Sequence, residues 1–351
     1  MDRRIEETDG AEAGRWARRD RGMATEALRI GIIGCGRAAR IHLARLVAQD
    51  RVQVVGCADL NADAAGALAA AVPGGSTAVF TDHRELLERA APQAVAIFTP
   101  HRAHYRPAMD ALQAGCHVFI EKPLSTNAQE AVDIAGLARA RGRKVGIGHQ
   151  YRLRPSLAEA RRRLASGAIG RLRLVTAVLA QPWLAAHSGP ADAWRYDPKL
   201  SGGGILADAG DHLIDALLWT TAQAAREVMA VQSRLETGLD LVTAAALRLA
   251  DGTPASLALS GDAPAPSFAL TYFGEGGRLL ATDADLICEP AGAPAETVPL
   301  PAPDQTIDGN FVAAVVADAP LCCPVEEALD TVRLLEAIIR SAAGGQLVRP
   351  S

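Results

Sequence analysis

Short runs of consecutive apolar residues punctuate the first part of the chain, and each is closed by a turn signal. Residues 28–33 form one such run and break into Gly34-Cys35-Gly36; Ile41, Leu43, Leu46 and Val47 then follow in a helical pattern. Further runs over 52–58, 78–80, 94–98, 117–120 and 145–148 alternate with helical patterns near 61–71, 102–114 and 127–141. Asp82 can cap a short helix through residue 89, and Gly115 and Gly142 stop two longer ones. Short buried strands alternating with helices predict a doubly wound parallel sheet, the Rossmann arrangement, which binds ligands at the carboxyl ends of its strands. Gly34-Cys35-Gly36, Asp59, Thr99-Pro100 and Glu121-Lys122-Pro123 all fall at such ends.

The rhythm changes after residue 150. A helix over 155–165 precedes a strand over 172–179, a loop over 182–204 and a helix carrying Asp208 and His212. Strand-like runs over 228–235, 241–249, 255–260, 267–273 and 278–282 predict a mainly antiparallel sheet. A Pro-rich loop over 290–303 and helices near 308–316 and 325–342 end the chain. The division that follows is a dinucleotide-binding domain over 28–150 and a second α/β domain over 151–351. Residues 1–27 are charged, lack periodicity and read as a disordered tail. They contain no apolar stretch of the kind a secretory leader needs, and Met23, just before the first strand, is an alternative start.

Composition narrows the class of protein. A length of 351 residues suits two domains, and 49% hydrophobic with 22% charged residues is the balance of an ordinary soluble protein. A formal charge of −4 supplies no attraction to nucleic acid or to an anionic membrane. No apolar stretch reaches the ~18 to 20 residues of a membrane span. The six cysteines form no Cys-x-x-Cys pair and read as scattered small hydrophobes in a reducing cytoplasm.

Gly34-Cys35-Gly36-Arg37-Ala38-Ala39 fits G-x-G-x-x-A between a strand and a helix. The first Gly makes the turn, the second admits a pyrophosphate, and Ala39 lets helix and strand pack closely. Asp59, ending the next strand, can accept from a ribose 2′-hydroxyl and would repel a 2′-phosphate, which favours NAD; Arg37 keeps NADP possible. Glu121-Lys122-Pro123 in isolation is a surface charge pair, but at a strand's carboxyl end Lys122 becomes a candidate site lysine. Asp208 and His212, four apart on a helix, share one face, where a carboxylate can hold an imidazole in one tautomer. A metal site is the lesser reading: His101, His104, His149 and His187 offer ligands, but no His/Cys cluster completes a set. The arginines at 152, 154, 161, 162, 163, 171 and 173 read as the solvated basic face of an amphipathic helix.

Together these residues resemble the glucose–fructose oxidoreductase / inositol dehydrogenase / rhizopine-catabolism (Gfo/Idh/MocA) family. The likeness runs through Ile32-Ile33-Gly34-Cys35-Gly36, Ala58-Asp59, Thr99-Pro100 with His104, residues 114–123, Tyr151-Arg152, Trp194-Arg195 and residues 202–215. It implies a Rossmann domain followed by an α/β domain on a large, open, mostly antiparallel sheet that makes a homodimer or homotetramer. It also implies an NAD(P)-dependent dehydrogenase or reductase of a sugar or polyol, with Lys122, Asp208 and His212 catalytic. Gly34, Gly36, Arg37, Ala38, Ala39, Asp59, Thr99, Pro100, His104, Glu121 and Lys122 are then expected at the cofactor. Tyr151, Arg152, Trp194 and Arg195 are expected at the substrate, and the Lys122-Pro123 bond is expected to be cis. Alternatives within the resemblance are an NAD-recycling glycosidase or lyase and a non-catalytic NAD sensor. His101 departs from the Pro or Asn of many relatives.

Overall fold

A computed structural model describes residues 27–351 of the chain. The expected tail and the choice between Met1 and Met23 therefore lie outside the described residues.

The six expected strands of the first half form one parallel sheet: β1 (Leu28–Ile33), β2 (Val52–Ala58), β3 (Ala78–Phe80), β4 (Ala94–Ile97), β5 (His117–Ile120) and β6 (Val145–Ile147). Their order is β3-β2-β1-β4-β5-β6. The order reverses between β1 and β4, which opens a crevice at their carboxyl ends, where Gly34 and Thr99 sit. Asn61, Asp82 and Asn127 cap the helices that follow them, each side chain accepting from backbone N–H groups of the first turn.

The second sheet holds β7 (Leu172–Ala180), β8 (Ala225–Arg234), β9 (Asp240–Leu249), β10 (Pro254–Ser260), β11 (Ser267–Gly274), β12 (Gly277–Thr282), β13 (Leu286–Pro290) and β14 (Glu296–Thr297). Every pairing is antiparallel except β7 with β10. β13 was not anticipated, and β14 falls in a stretch expected to be a loop. β13 is five residues long and lies between β12 and β14, and β14 is a two-residue edge strand; segments this short leave little trace in hydrophobic pattern. The expected loop over 182–204 is likewise broken into three helical turns, Trp183–Ala186, Pro190–Tyr196 and Pro198–Ser201.

The inner face of this sheet packs on the Asp211–Thr221 helix and on the last helix, Val325–Gly344. That last helix serves both halves of the molecule. Its first turns place Val325, Ala328 and Val332 against Val118, Ile120 and Ile134 of the parallel sheet's layer. Leu334, Leu335 and Ile338 belong to the core of the second sheet. The Ile307–Ala317 helix also returns, with Ile307, Phe311 and Val312 in the core beside β1. The two sheets are thereby locked at one seam.

Arg152 belongs to this seam. Its Nε and Nη2 donate to Asp215 (2.7–3.2 Å), and Nη1 donates to the Cys322 carbonyl and to Glu327. It was expected at the substrate, but the guanidinium is buried, and its donors are taken up by the last helix and by Asp215. Replacing Arg152 by Met strands the Asp215 carboxylate in the interior. The expected loss of unfolding free energy is about 3–5 kcal/mol, read by urea denaturation, and a loss under about 1 kcal/mol would contradict this bracing role.

Candidate functional site

The turn after β1 is built by steric exclusion. Gly34 has φ +86°, and a Cβ there would meet the Thr99 backbone nitrogen at 2.6 Å. This close approach brings the β1 and β4 ends together. Cys35 N–H donates to Asp59 Oδ2 (2.7 Å), and Asn61 N–H donates to Asp59 Oδ1 (2.8 Å), so the carboxylate is fixed at the end of β2. At Gly36 the space a Cβ would occupy is open, and the Arg37–Val47 helix starts there with no side-chain cap and no acidic residue in its first turn. Ala39 is fully buried against the sheet, while Arg37 is exposed. The Thr99 hydroxyl is buried without a partner. Uncapped helix N–H groups over open space, with a carboxylate one strand away, fit the pyrophosphate and ribose of a dinucleotide.

His104 and Glu121 lie behind that surface rather than on it. His104 is 1% exposed, and its ring nitrogens are 2.8 and 2.9 Å from the carbonyl oxygens of Pro123 and Thr99. It ties the β4 and β5 loops together. The Glu121 carboxylate turns inward to His42.

Beyond the crevice, the Lys122-Pro123 bond is cis. Lys122 Nζ donates to Asp208 Oδ1 (2.7 Å) and to the Asp208 carbonyl (3.0 Å). The other carboxylate oxygen, Oδ2, accepts from Trp183 Nε1 and Arg195 Nε, both at 2.9 Å. His101 Nε2 lies 3.9 Å from Oδ1. The expectation that Asp208 holds the His212 imidazole is thus corrected: among the described residues its oxygens are engaged by Lys122, Trp183 and Arg195. The His212 Nδ1 is buried with no hydrogen-bond partner.

The cause is local. Residues Leu206–Gly210 form a π-turn before the α-helix begins at Asp211. A π-turn widens the helical step, so a spacing of four no longer stacks two side chains as it does in an α-helix. The turn is set by the Asp240 carboxylate, which accepts from Gly204 N–H and Leu206 N–H, both at 2.7 Å.

His212 instead stacks face to face on Tyr151, with ring centroids 4.3 Å apart and planes 6° from parallel. The Arg154 guanidinium also packs on Tyr151, 3.2 Å from that ring's centroid. Arg195 faces Asp208 and Asp192, and its guanidinium packs on Trp194, which meets His101 edge-on. Both residues therefore support the Asp208 pocket by contacts within the protein.

Burial and charge divide the protons. Burial alone would pull the Lys122 ammonium down, but Asp208 and Glu121 outweigh it and lift the group above its ordinary value. Burial would raise the Asp208 carboxyl; Lys122, with Arg195, holds it well below the usual range. For His212, burial and the positive field of Lys122, His149 and Arg154 act together and push the imidazole well below its usual value. The pocket therefore contains a charged lysine, a carboxylate and a neutral histidine. Burial brings His101 down to about 3, so it too is neutral.

Four contributors lay outside the expected set. Trp183 and His101 gave no sequence signal for contact with Asp208. Asp211 lies within residues 202–215 and His149 follows β6, and their pairing, 2.6 Å from His149 Nε2 to Asp211 Oδ2, joins segments 62 residues apart. His149, Asp215 and Cys323 bring possible metal-ligand atoms within 4.8 Å of one another. Asp215 is already committed to Arg152 and His149 to Asp211, which makes the cluster a buried ion-pair network.

Comparison with known proteins agrees with this architecture. Residues 28–149 match the family model described as an oxidoreductase family with NAD-binding Rossmann fold, and residues 157–280 match the GFO/IDH/MocA C-terminal domain. D-glucoside 3-dehydrogenase of Escherichia coli is 28% identical over 200 residues, which is 56% of this chain and 55% of that protein. Inositol 2-dehydrogenase 2 of Saccharopolyspora erythraea is 32% identical over 200 residues, 56% of this chain and 54% of that protein. The chain thus spans about half the length of these curated relatives. The solved structure of levoglucosan dehydrogenase in complex with NADH superposes with a TM-score of 0.83 at 21% identity, covering 93% of this chain and all of that one, a likeness of fold. With both halves matched in order over the two sheets, the chain belongs to the Gfo/Idh/MocA family of oxidoreductases.

Proposed function

We propose that the chain is an NAD-dependent dehydrogenase acting on a secondary alcohol of a sugar, cyclitol or related polyol. The observation that carries this reading is the buried Lys122 ammonium on Asp208 beside a neutral His212, at the carboxyl ends of a dinucleotide-binding sheet. Gly34, Gly36 and the first turn at Arg37, Ala38 and Ala39 would hold the pyrophosphate, with Thr99-Pro100 lining the crevice. Asp59 would take the ribose hydroxyls and disfavour a 2′-phosphate. When bound, the nicotinamide supplies the hydride acceptor.

The residues of the chain handle the proton and the oxygen. His212 is neutral and accepts the hydroxyl proton as general base. Lys122 donates to the same oxygen and favours the alkoxide as charge develops there. Asp208 keeps the lysine charged and aimed, and it is itself fixed by Trp183 and Arg195. Tyr151 sets the plane of the His212 ring and offers its edge to the substrate. The relatives named above carry dehydrogenase names for a glucoside, an inositol and levoglucosan, which supports a polyhydroxylated substrate.

The outer face of the second sheet supports a homo-oligomer. It leaves Val178 of β7, Met229 and Val231 of β8 and Val242 of β9 exposed, with Val231 at 65%. Unpaired cysteines suit a reducing compartment, and the reading assigns the enzyme to the cytoplasm. Among the described residues no helix is long and apolar enough to cross a membrane.

Three outcomes test this reading. First, absorbance of reduced nicotinamide should appear with NAD⁺, and less with NADP⁺, on a panel of cyclitols, aldoses, sugar acids and amino sugars. On the active substrate, Lys122→Met and His212→Ala should each lower kcat/KM by roughly 10² to 10⁴. Sugar release without net NADH would favour the NAD-recycling glycosidase or lyase instead. Second, a base of depressed pKa is present above that pKa and lost as pH falls through it. The acid limb of kcat/KM should accordingly lie well below the ordinary imidazole value of about 6.5, and a limb at that value would contradict the assignment of His212. Third, Val231→Glu should reduce the mass seen by light scattering to that of a smaller assembly; an unchanged mass would place any interface elsewhere.

A further inference from the structure

His42 stands at a junction that the proposed chemistry does not use. It projects from the Arg37–Val47 helix against the sheet, with its ring centroid 4.7 Å from that of Phe98 and 5.5 Å from that of Phe119. Its Nδ1 is 2.7 Å from Asp308 Oδ1, and its Nε2 is 3.2 Å from Glu121 Oε1. An ionised carboxylate only accepts, and a neutral imidazole has a single N–H to give. Two carboxylate partners therefore match an imidazolium, which donates from both nitrogens.

The charges around it alternate. Arg45 lies 3.6 Å from the second oxygen of Asp308, then follow Asp308, His42 and Glu121, and Lys122 is the next residue in the chain. Burial opposes a charged ring, but Asp308 and Glu121 reverse that effect and lift His42 to about 9. Burial likewise opposes a charged Glu121, and His42 and Lys122 together keep it below the usual carboxylate range. Lys122 feels the attraction of both Asp208 and Glu121. What separates the two carboxylates is the partner each already has. Without His42, Glu121 is a buried anion whose remaining stabilising charge is the Lys122 ammonium, which Asp208 already holds.

We infer that His42 is a positioning residue: as an imidazolium bridging Asp308 and Glu121, it holds Glu121 off Lys122 and leaves the lysine to Asp208 and the reacting oxygen. The inference rests on the proposed dehydrogenase reading for that oxygen alone; the charge state of His42 and its two bonds stand on geometry. The device also joins the helix beneath the cofactor turn to the returning Ile307–Ala317 helix, so one proton links three separate elements.

The test has two arms that fail independently. In the full-length wild-type protein with ¹⁵N-labelled histidine, His42 is one of eight histidines and is assigned through its contacts with Phe98 and Phe119. Both of its ring nitrogens should carry protons at neutral pH and should lose one only near pH 9. A neutral His42 ring at pH 7 would overturn the proposal whether or not a substrate is known. On the active substrate, His42→Gln should lower kcat roughly tenfold while KM for NAD⁺ changes little. Adding Glu121→Gln should restore part of the lost kcat, because the released carboxylate is gone. A purely structural His42 would give no such rescue, and a double variant slower than H42Q alone would sink the idea. Loss of the NADH signal in every variant and in the wild type would fail the dehydrogenase reading and leave the histidine spectrum to decide the positioning role.

Discussion

A lysine ammonium taken out of water must find a carboxylate within hydrogen-bond reach, or it gives up its proton. Much of the site follows from that demand at Lys122. The ammonium sits at the end of the parallel sheet, its carboxylate comes from the second half of the chain, and the two meet at 2.7 Å. Asp208 in turn needs more than one donor to remain ionised in the interior, and the Trp183 and Arg195 side chains supply them. The segment from 182 to 204 is therefore fastened down by the same carboxylate that the lysine requires. His212 stays neutral because it is buried, and the positive charges of Lys122, His149 and Arg154 act in the same direction. One ion pair thus fixes the charge of the lysine and fastens a loop, and the lysine's charge adds to the burial that keeps the base neutral.

Such a pair works only if the two halves of the molecule cannot slide. The C-terminal helices provide the lock, since Val325–Gly344 contributes to both cores and Ile307–Ala317 packs beside β1. Buried charge networks sit along the same seam. One joins Arg152, Asp215, His149 and Asp211; the other joins Arg45, Asp308, His42 and Glu121. Each ties segments far apart in sequence, and each flanks a site residue, His212 in the first case and Lys122 in the second.

The parallel sheet was legible in the sequence because strands buried on both faces read as continuous apolar runs. The main strands of the second sheet were legible from alternation, as in β9, whose residues are buried at every second position for most of its length. The two strands at that sheet's far end were not: β13 has only Leu286 and Cys288 buried in five residues, and β14 is two exposed residues at the edge. At the site, the residue types were readable, but their pairing was not. The spacing between Asp208 and His212 implies contact only in an α-helix, and the π-turn at Leu206–Gly210 is dictated by Asp240, from a strand more than 25 residues later. Arg152 adjoins Tyr151 in sequence, yet the two side chains go to different places, one into the seam and one onto His212. Partner choice among buried charges is a tertiary property, and a single sequence does not display it.

The most direct measurement is the titration of the Lys122 ammonium by NMR in the wild type and in Asp208→Asn. Only three lysines occur in the chain, Lys122, Lys144 and Lys199, so the signal is readily assigned. With Asp208 as its partner, Lys122 should titrate above the ordinary lysine value. In the variant it should fall, because burial is then opposed only by weaker attractions. A Lys122 titration unmoved by the loss of the Asp208 charge would contradict the pairing on which the account of the site depends.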